Sequence, residues 1–475
     1  MFSAWQFSLW FLTPLAGVLT LLASGHALLH KRDPRAALLW ILICVLLPFL
    51  GPLLYVMFGV NRAWRRIRRM GQANQSSLVT PPEPVPLAAR EALLEPAQIR
   101  LGAAVTGLPL LDGNQVTPLV NGDRAYPVMV DAVRQAREWI YLVVYIFEHR
   151  GPGEAFIEAL IEAAGRGVEV YVLLDGVGAW YSFDRTRRRL RKGGVHVVSF
   201  LPPRLFPPQL QINLRNHRKL LLVDGERGFT GGMNIRACHL IGDQALDRHA
   251  TRDVMFEVSG PVLAHLEEVF AEDWLFMTGE KLPARLFPQI ETGSMKCRPV
   301  VDGPGVHIYT LVNLLVGAFS MASQRILIVT PYFLPPPELS AALQAAALRG
   351  VEVTLLLPEK SNLRYVDWAT RKILPGLLDC GVRVFWQAPP FDHSKLLVID
   401  GYYCIVGSAN MDIRSLRLNF ELVLEVYSRS LGRQLEQHIE QLQRDGHEVR
   451  ADALRNEPLA MRLWYAIWWL FTPYL

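Results

Sequence analysis

The sequence predicts an α/β protein of two pseudo-symmetric halves, each with a mixed, mainly parallel sheet flanked by helices, preceded by an N-terminal pair of transmembrane helices. Three observations support this fold class. Strands and helices alternate twice in the same order, one short motif recurs in both halves, and two long uncharged runs precede them. The chain has 475 residues, a length that fits roughly two to three domains.

The two uncharged runs come first. Residues 2–29 and 36–60 contain no Asp, Glu, Lys or Arg, and each exceeds the roughly 20 apolar residues that cross a bilayer. A signal peptide is the alternative for the first run, but that run lacks a basic start and is too long. Two buried core helices are the alternative for both. We predict two transmembrane helices within residues 1–60, as in a multi-pass membrane protein.

The basic residues near these runs predict the orientation. Five arginines follow the second run, whereas three basic residues and one Asp lie between the runs. Since positive charge collects on the cytoplasmic side, the balance favours a cytoplasmic catalytic part. The five arginines are Arg62, Arg65, Arg66, Arg68 and Arg69.

Net charge and cysteine content exclude little. A formal charge of +5 suits an anionic membrane surface and equally nucleic acid, so charge does not identify the partner. The five cysteines are scattered without metal-ligand spacing, which indicates neither a disulfide framework nor a zinc site.

Composition also divides the rest of the chain. Residues 61–98 read as a basic and Pro-rich linker, residues 99–290 as the first half and residues 291–450 as the second. Residues 451–475 are rich in Trp and too short to span a bilayer, so we predict a segment lying at the membrane interface. A helix docked on the core is the alternative for this last segment.

The duplication covers whole supersecondary units. In the first half, apolar strand patterns alternate with amphipathic helix patterns, and the second half repeats the order. The first half has strand 139–147, helix 154–166, strand 168–174, helix 185–192 and strand 194–197. The second has strand 325–333, helix 337–349, strand 351–357, a helix near Arg371 and strand 381–384. Such alternation is typical of α/β architecture.

The recurring motif is His-x-Lys-x4-Asp-x6-Gly-Gly/Ser-x-Asn. Its copies are His217, Lys219, Asp224, Gly231, Gly232 and Asn234, then His393, Lys395, Asp400, Gly407, Ser408 and Asn410. Residues two apart on a strand point to one face, so His and Lys of each copy project together. Packing of the halves about a pseudo-twofold axis would bring both copies into one site.

Two histidines, two lysines and two asparagines converging on one point favour phosphate chemistry. Lys and Asn donors neutralise a phosphate and stabilise its transition state, one imidazole attacks phosphorus, and the other protonates the leaving alcohol. The predicted catalytic residues are His217, Lys219, Asp224, His393, Lys395 and Asp400, with Asn234 and Asn410 as phosphate ligands. No metal or cofactor is expected. The Asp-Gly dipeptides also favour a turn role for the motif aspartates.

Each histidine needs a carboxylate that fixes its tautomer. Aligning the segments that follow the motifs places Asp253 opposite Glu421, and we predict these two as the orienting acids. Tyr145 and Tyr332 lie near equivalent strand ends, where they could line the site, although core packing is the favoured interpretation. The remaining histidines, His239 among them, have no repeat to support a functional role.

These motifs resemble those of the phospholipase D superfamily, and within it the chain is most similar to the bacterial membrane-bound cardiolipin synthases. The resemblance extends from about residue 113 to 426 and includes the segments 216–219, 230–234, 330–333, 407–415 and 419–421. It implies phosphatidyl transfer between two phosphatidylglycerol molecules through a phosphohistidine, His217 being the nucleophile by analogy. It also implies a bacterial inner (cell) membrane location.

The resemblance leaves the acceptor open. A related lipid hydrolase, or a transphosphatidylase with another alcohol, would use the same residues, and a nuclease would cleave other phosphodiesters with them. The membrane spans argue against the nuclease, so the expected partners are phosphatidylglycerol and an anionic membrane, without nucleic acid. The sequence does not indicate an oligomeric state.

Overall fold

The computed structural model describes residues 4–31, 34–59, 94–178, 184–202, 214–242, 250–283, 285, 290–304 and 309–472. The described residues form two compact units, one at the N-terminus and one from residue 94 onward. The arginine cluster at 62–69 and most of the predicted linker lie outside the described residues.

The N-terminal unit contains helices α1 (Ala4–His30), α2 (Pro34–Leu46) and α3 (Leu50–Leu54), and a π-helical turn (Tyr55–Gly59). Within α1, Leu12–His30 is long and apolar enough to cross a membrane. The second predicted span is not one continuous helix. It breaks after Leu46, and α2 at about 1.5 Å per residue is shorter than the roughly 30 Å hydrocarbon core. Pro48 and Pro52, which lack an amide hydrogen, account for the interruption.

The second unit begins with α4 (Leu94–Thr106), and the first half follows. Its elements are β1 (Leu111–Val120), α5 (Asn121–Gln135), β2 (Trp139–Val144), α6 (Pro152–Gly165), β3 (Glu169–Asp175), α7 (Arg185–Lys192), β4 (His196–Phe200), β5 (Leu220–Val223), β6 (Arg227–Gly231), β7 (Thr251–Arg252), β8 (Val254–Ser259) and α8 (Val262–Thr278). A 3-10 turn, Ala237–His239, lies between β6 and β7.

The second half repeats this succession. Its elements are β9 (Met295–Asp302), α9 (Thr310–Met321), β10 (Arg325–Val329), β11 (Phe333–Leu334), α10 (Pro337–Leu348), β12 (Glu352–Pro358), α11 (Arg364–Leu378), β13 (Arg383–Gln387), β14 (Phe391–Asp392), β15 (Leu396–Ile399), β16 (Tyr403–Gly407), β17 (Met411–Asp412), α12 (Ile413–Arg417), β18 (Glu421–Tyr427), α13 (Arg429–Arg444), β19 (His447–Glu448), α14 (Ala451–Arg455) and α15 (Leu459–Leu470).

The α/β class is confirmed, but the two predicted sheets are one 15-stranded sheet. Its order is β19-β13-β12-β10-β15-β16-β18-β9-β1-β8-β6-β5-β2-β3-β4. Outward from the central pair β9 and β1, equivalent strands of the two halves follow in the same order: β18 matches β8, β16 matches β6, β15 matches β5 and β10 matches β2. The duplication is therefore a pseudo-twofold relation about the centre of one sheet.

The strand directions differ from the expected mainly parallel arrangement. Among the described strands of the large sheet, parallel pairing is limited to β2-β3-β4 and β10-β12-β13, where helices connect the strands. The motif strands β5 and β15 pair antiparallel with both of their neighbours. The reason is connection length: a tight turn joins β5 to β6 and β15 to β16, and such a turn produces an antiparallel hairpin.

Two helices pack on elements that the predicted domain boundaries did not indicate. Helix α4 spans the start of the predicted first half, yet it packs on α9 of the second half. The Trp-rich helix α15 packs on α11, where Trp468 contacts the rings of Tyr365 and Trp368 at centroid distances of 5.9 and 5.6 Å. Its opposite side is apolar and exposed, at Leu459, Leu463, Ile467 and Leu470. The docked alternative thus holds for one face of this helix, and the interfacial location stays a prediction for the other face.

Candidate active site

The motif histidines lie just before β5 and β15, where short parallel contacts cross between the halves. The His217 amide donates to the Phe420 carbonyl, and the Phe420 amide donates to Arg215, each at 2.9 Å. Correspondingly, β14 pairs with β7, and the His393 amide donates to the Arg252 carbonyl at 2.8 Å. The backbone before each histidine is therefore held by the other half.

These backbone contacts between the halves determine which acid lies beside which histidine. Glu421 follows Phe420, and both of its carboxylate oxygens lie 3.0 Å from Nδ1 of His217. Asp253 follows Arg252, and its Oδ2 lies 2.8 Å from Nδ1 of His393. Both acids are fully buried. The predicted orienting residues thus meet the histidines, and each acid serves the histidine of the opposite half.

The two acids differ in their electrostatics. Burial alone would raise the pKa of Glu421, but the interactions with His217 and Lys219 outweigh it and hold this pKa below its ordinary value. Burial raises the pKa of Asp253, against the opposing charge of Lys395. Glu421 is therefore the firmer anion, and the two His–acid pairs are not equivalent.

Both histidines favour the neutral imidazole in the free site. Burial lowers the pKa of His217, against the opposing charge of Glu421. Burial, with the nearby charges of Lys395 and Lys219, lowers the pKa of His393 further, well below its ordinary value. Because the carboxylate accepts a hydrogen bond from Nδ1, the ring hydrogen stays on Nδ1 and the neutral ring presents the lone pair of Nε2. A neutral Nε2 is the form that attacks phosphorus.

The motif lysines lie beside their histidines, as the spacing predicts. Nζ of Lys219 is 2.5 Å from the carbonyl oxygen of His217, and Nζ of Lys395 contacts the carbonyl oxygen of His393 and lies 2.9 Å from its Nδ1. Burial lowers the pKa of Lys219 to about 7 and that of Lys395 to about 8.

These lysines predict a pH dependence. A lysine is charged only below its pKa, so we expect kcat/KM to fall as pH rises through 7 to 8, by about tenfold per pH unit for each lysine that deprotonates. The bound phosphate stabilises the ammonium form, so we expect kcat to decline at a higher pH than kcat/KM does. Profiles from pH 6 to 10 measure both.

Two variants control this prediction. Lys395→Arg keeps its charge across this pH range, so it is expected to shift or remove one step of the decline. Lys192→Arg, which changes an exposed lysine at the end of α7, should leave the pH profile unchanged. A kcat/KM that stays flat or rises to pH 9 in the unaltered protein contradicts the assignment.

The Gly-Gly/Ser pair of each motif explains how the acids fit. A Cβ on Gly232 would lie 2.4 Å from Oδ1 of Asp253, so this position has no room for a side chain. In the second half Ser408 occupies the equivalent position, and its hydroxyl donates to Oε2 of Glu421 at 2.6 Å. The small residue at this position of each motif therefore lets the carboxylate of Asp253 or Glu421 approach closely.

A cavity of about 330 Å³ joins the two motifs, and both histidines and both asparagines line it. Asn234 accepts the Ile146 amide through Oδ1 at 3.1 Å, which leaves its Nδ2 as a donor. Asn410 donates through Nδ2 to Ser415 at 3.1 Å, and its second amide hydrogen remains for a ligand. These are four of the six side chains that the duplicated motif predicts to converge; Lys219 and Lys395 are buried beside their histidines and are not among the residues that line the cavity.

The motif aspartates need a correction, because they lie at the opposite ends of the strands from the histidines. Asp224 follows β5, and its carboxylate accepts the backbone amides of residues 137, 138 and 139 at 2.7–2.9 Å. Asp400 follows β15 and accepts the amides of residues 323, 324 and 325 at 2.8–2.9 Å. Both adopt positive φ, at 52°. Placing them among the catalytic residues is not supported; their geometry is that of the turn role.

Several cavity residues were not predicted as site residues. Tyr145 packs edge-on against the His217 ring at 5.4 Å, and Tyr332 lies 6.3 Å from the His393 ring. Both line the cavity, so core packing is not their whole role, although Tyr332 also packs against a small core cluster. Their equivalent positions at strand ends were the available signal. His239 and Arg215 also line the cavity, and no repeat marks them.

Comparison with known families matches both halves. A family described as "Cardiolipin synthase, PLD-like domain" matches residues 129–274 and 315–443, and one described as "Phospholipase_D-nuclease N-terminal" matches residues 18–59. The first match covers more than half of the chain and contains both copies of the motif.

Relatives of similar length carry a consistent description. A protein of Pseudomonas putida described as "Cardiolipin synthase A" is 33% identical over 95% of this chain and 96% of its own. One of Geobacillus thermodenitrificans described as "Cardiolipin synthase" is 34% identical over 84% of this chain and 81% of its own. The crystal structure of phosphatidylserine synthase from Haemophilus influenzae superposes with a TM-score of 0.61 over 80% of this chain and 100% of that one, at 15% identity. That last likeness concerns the fold alone.

Proposed function

This chain belongs to the phospholipase D-like cardiolipin synthase family, and we propose that it transfers a phosphatidyl group from one phosphatidylglycerol to another, giving cardiolipin and glycerol. The observation that carries the proposal is the cavity lined by the histidine and the asparagine of both motif copies, with each histidine held by a buried acid of the other half. Such a site supplies a nucleophile, a proton donor and a phosphate clamp.

In the first step, Nε2 of His217 attacks the phosphorus of phosphatidylglycerol. A nitrogen–phosphorus bond forms and the bond from phosphorus to the glycerol oxygen breaks, while His393 gives that oxygen its proton. The free site holds His393 neutral through burial and two lysine charges. The substrate phosphate offsets those charges, so the imidazolium becomes favourable when lipid is bound. Glycerol then leaves.

In the second step, neutral His393 takes the proton from a hydroxyl of the acceptor phosphatidylglycerol. The hydroxyl oxygen attacks phosphorus, the nitrogen–phosphorus bond breaks, and cardiolipin departs from a regenerated His217. Asn234 and Asn410 donate to the phosphoryl oxygens in both steps, and the buried charges of Lys219 and Lys395 beside the histidines offset the charge of the phosphate. The two steps balance without a further reactant.

We assign the nucleophile to His217 because of its partner. Glu421 is the more firmly ionised acid and accepts from Nδ1 through both oxygens, which increases electron density at Nε2. Enzyme given radiolabelled phosphatidylglycerol and denatured at alkaline pH, where the nitrogen–phosphorus bond survives, is expected to carry the label on the peptide containing His217. Label on the His393 peptide would reverse the two roles.

One product analysis tests the function and its alternatives. Purified full-length protein in detergent is incubated with phosphatidylglycerol, and the lipids and the water phase are analysed. Cardiolipin with an equal amount of glycerol supports the proposal. Phosphatidic acid as the main product identifies a lipid hydrolase, and DNA cleavage without lipid turnover identifies a nuclease.

Helix α15 supports a membrane-facing site. The cavity, about 330 Å³, is at the small end of the roughly 300–1,000 Å³ of small-molecule pockets, so lipid acyl chains must stay outside it. Tyr365 of α11 lines the cavity and stacks on Trp468 of α15. Helix α15 is thus one aromatic contact from the cavity, and its exposed apolar side lies on the opposite face of the helix. We propose that this side inserts into the bilayer interface.

Replacing Leu463 and Ile467 together by Ser tests this placement. We expect KM for phosphatidylglycerol in vesicles to rise by about tenfold or more, since two exposed apolar side chains no longer enter the bilayer. Turnover of a short-chain, water-soluble phosphatidylglycerol should stay unchanged. The control is Leu348→Ser, which changes an exposed leucine at the end of α10. Equal vesicle KM values for the double variant and the control would refute the placement.

The membrane topology is proposed on the N-terminal sequence. Helix α1 and the divided apolar segment of α2 and α3 both enter the bacterial inner (cell) membrane, and the arginines at 62–69 keep the catalytic unit in the cytoplasm. A reporter active only in the periplasm, fused after residue 475, is expected to be inactive. Activity of that fusion would place the catalytic unit outside.

A further inference from the structure

His239 is a third histidine at the active-site cavity, and neither copy of the motif contains it. It ends the 3-10 turn after β6, its side chain is 2% exposed, and it lines the same cavity as both motif histidines. Its Nδ1 lies 3.2 Å from the carbonyl oxygen of Thr251.

The segment that holds His239 also holds His393. The Thr251 carbonyl binds Nδ1 of His239, the Arg252 carbonyl accepts the His393 amide, and the Asp253 carboxylate binds Nδ1 of His393. Three consecutive residues therefore fix both imidazoles. This places His239 on the side of the cavity where His393 exchanges a proton with the leaving or arriving alcohol.

The hydrogen bond to Thr251 determines what His239 offers to a ligand. A carbonyl oxygen only accepts, so Nδ1 of His239 carries the hydrogen and Nε2 is left with its lone pair. Burial lowers the pKa of His239 to about 4, so the ring is neutral at physiological pH. A neutral acceptor binds a hydroxyl without repelling the phosphate beside it, which a carboxylate would do.

The second half has different chemistry at the equivalent position. Five residues after Asn234 stands His239, whereas five residues after Asn410 stands Ser415. Ser415 accepts the Asn410 amide at 3.1 Å, and its backbone amide donates to Asp412 at 2.7 Å. The cavity thus has an imidazole acceptor at its His393 end and a hydroxyl already engaged by Asn410 at the other.

We propose that His239 forms the glycerol subsite, where its Nε2 accepts a hydrogen bond from the headgroup hydroxyl that does not react. This inference rests on the proposed function and adds how the acceptor is chosen. The leaving glycerol occupies the subsite in the first step, and the headgroup of the second phosphatidylglycerol occupies it in the next. Water and simple alcohols lack the second hydroxyl, so they do not make this contact.

Competition between two alcohols tests the subsite. Full-length protein in mixed micelles of phosphatidylglycerol receives radiolabelled glycerol and 1-propanol at equal concentrations, and transfer to each is measured. Both alcohols use the same phosphoenzyme, so general damage to the site lowers both transfers together. We expect the unaltered protein to prefer glycerol, and His239→Phe to reduce the glycerol-to-propanol ratio by about tenfold, the effect of one hydrogen bond.

Two further variants separate the subsite from a structural role. His239→Asn retains a donor for the Thr251 carbonyl but lacks Nε2, so its ratio should fall as in His239→Phe. His447→Phe on exposed β19 should keep the original ratio. An unchanged ratio with both transfers lowered shows that His239 only supports His393 and overturns this inference alone. No transfer to any alcohol by the unaltered protein overturns the proposed function, and the inference with it.

Discussion

Replacing either motif histidine by asparagine is expected to reduce cardiolipin formation by about 10³-fold or more, while the protein remains folded. His217→Asn removes the proposed nucleophile, and His393→Asn removes the group that exchanges a proton with glycerol. Asparagine retains an amide that hydrogen-bonds the buried carboxylate, so Glu421 or Asp253 is not left unpaired at the cost that an alanine would impose.

Lipid products measured by chromatography, alongside thermal unfolding of each variant, check this expectation. The matched control is His447→Asn, which changes an exposed histidine of β19 and should keep full activity. Cardiolipin formation within tenfold of the unaltered rate in either motif variant, with an unchanged unfolding temperature, contradicts a two-histidine mechanism.

The second large effect concerns the crossed acids. We expect Glu421→Gln to lower turnover by about 10²–10⁴-fold, because a glutamine amide donates to Nδ1 of His217 and thereby moves the ring hydrogen to Nε2. In that tautomer the attacking nitrogen has no lone pair. Asp253→Asn acts in the same way on His393. Steady-state rates on phosphatidylglycerol measure both losses.

A substrate with a good leaving group shows which histidine each acid serves. Phosphatidyl-p-nitrophenol releases a phenolate that needs no proton donor, so His393→Asn protein still forms a phosphoenzyme on His217. In that background Glu421→Gln should abolish the p-nitrophenol burst, and Asp253→Asn should leave it intact. The reverse result would mean that each acid serves the histidine of its own half.

Much of the local structure was predictable because it depends on short-range patterns. The helix predicted at 185–192 has those bounds in the structure, and the strands and helices of both duplicated units lie within a few residues of their predicted positions. Periodicity of apolar residues determines such elements. Strand direction was not predictable in the same way, because it follows from how the connections run rather than from the strands themselves.

The N-terminus and the C-terminal helix show a second limit. Apolar composition predicted two continuous spans. In the structure the second one is divided, because Pro48 and Pro52 lack the amide hydrogen that a continuous helix uses at these positions. For α15, composition predicted a helix at the membrane interface. In the structure, one face of this helix packs on α11 beside the cavity. Which face is covered depends on a partner more than 90 residues earlier in the chain.

The sequence by itself determined the chemistry: two histidines, two lysines and two asparagines repeated at one spacing, with Asp253 and Glu421 as the orienting acids. Only the tertiary structure decided the pairing. His217 meets an acid 204 residues away and His393 one 140 residues away, because the strands that carry them cross about the pseudo-twofold axis. It also distinguished between the two predicted roles of Asp224 and Asp400, in favour of the turn, and it placed His239 at the cavity. Spacing within one strand is a local property, whereas contacts between strands arise when the two halves pack on each other.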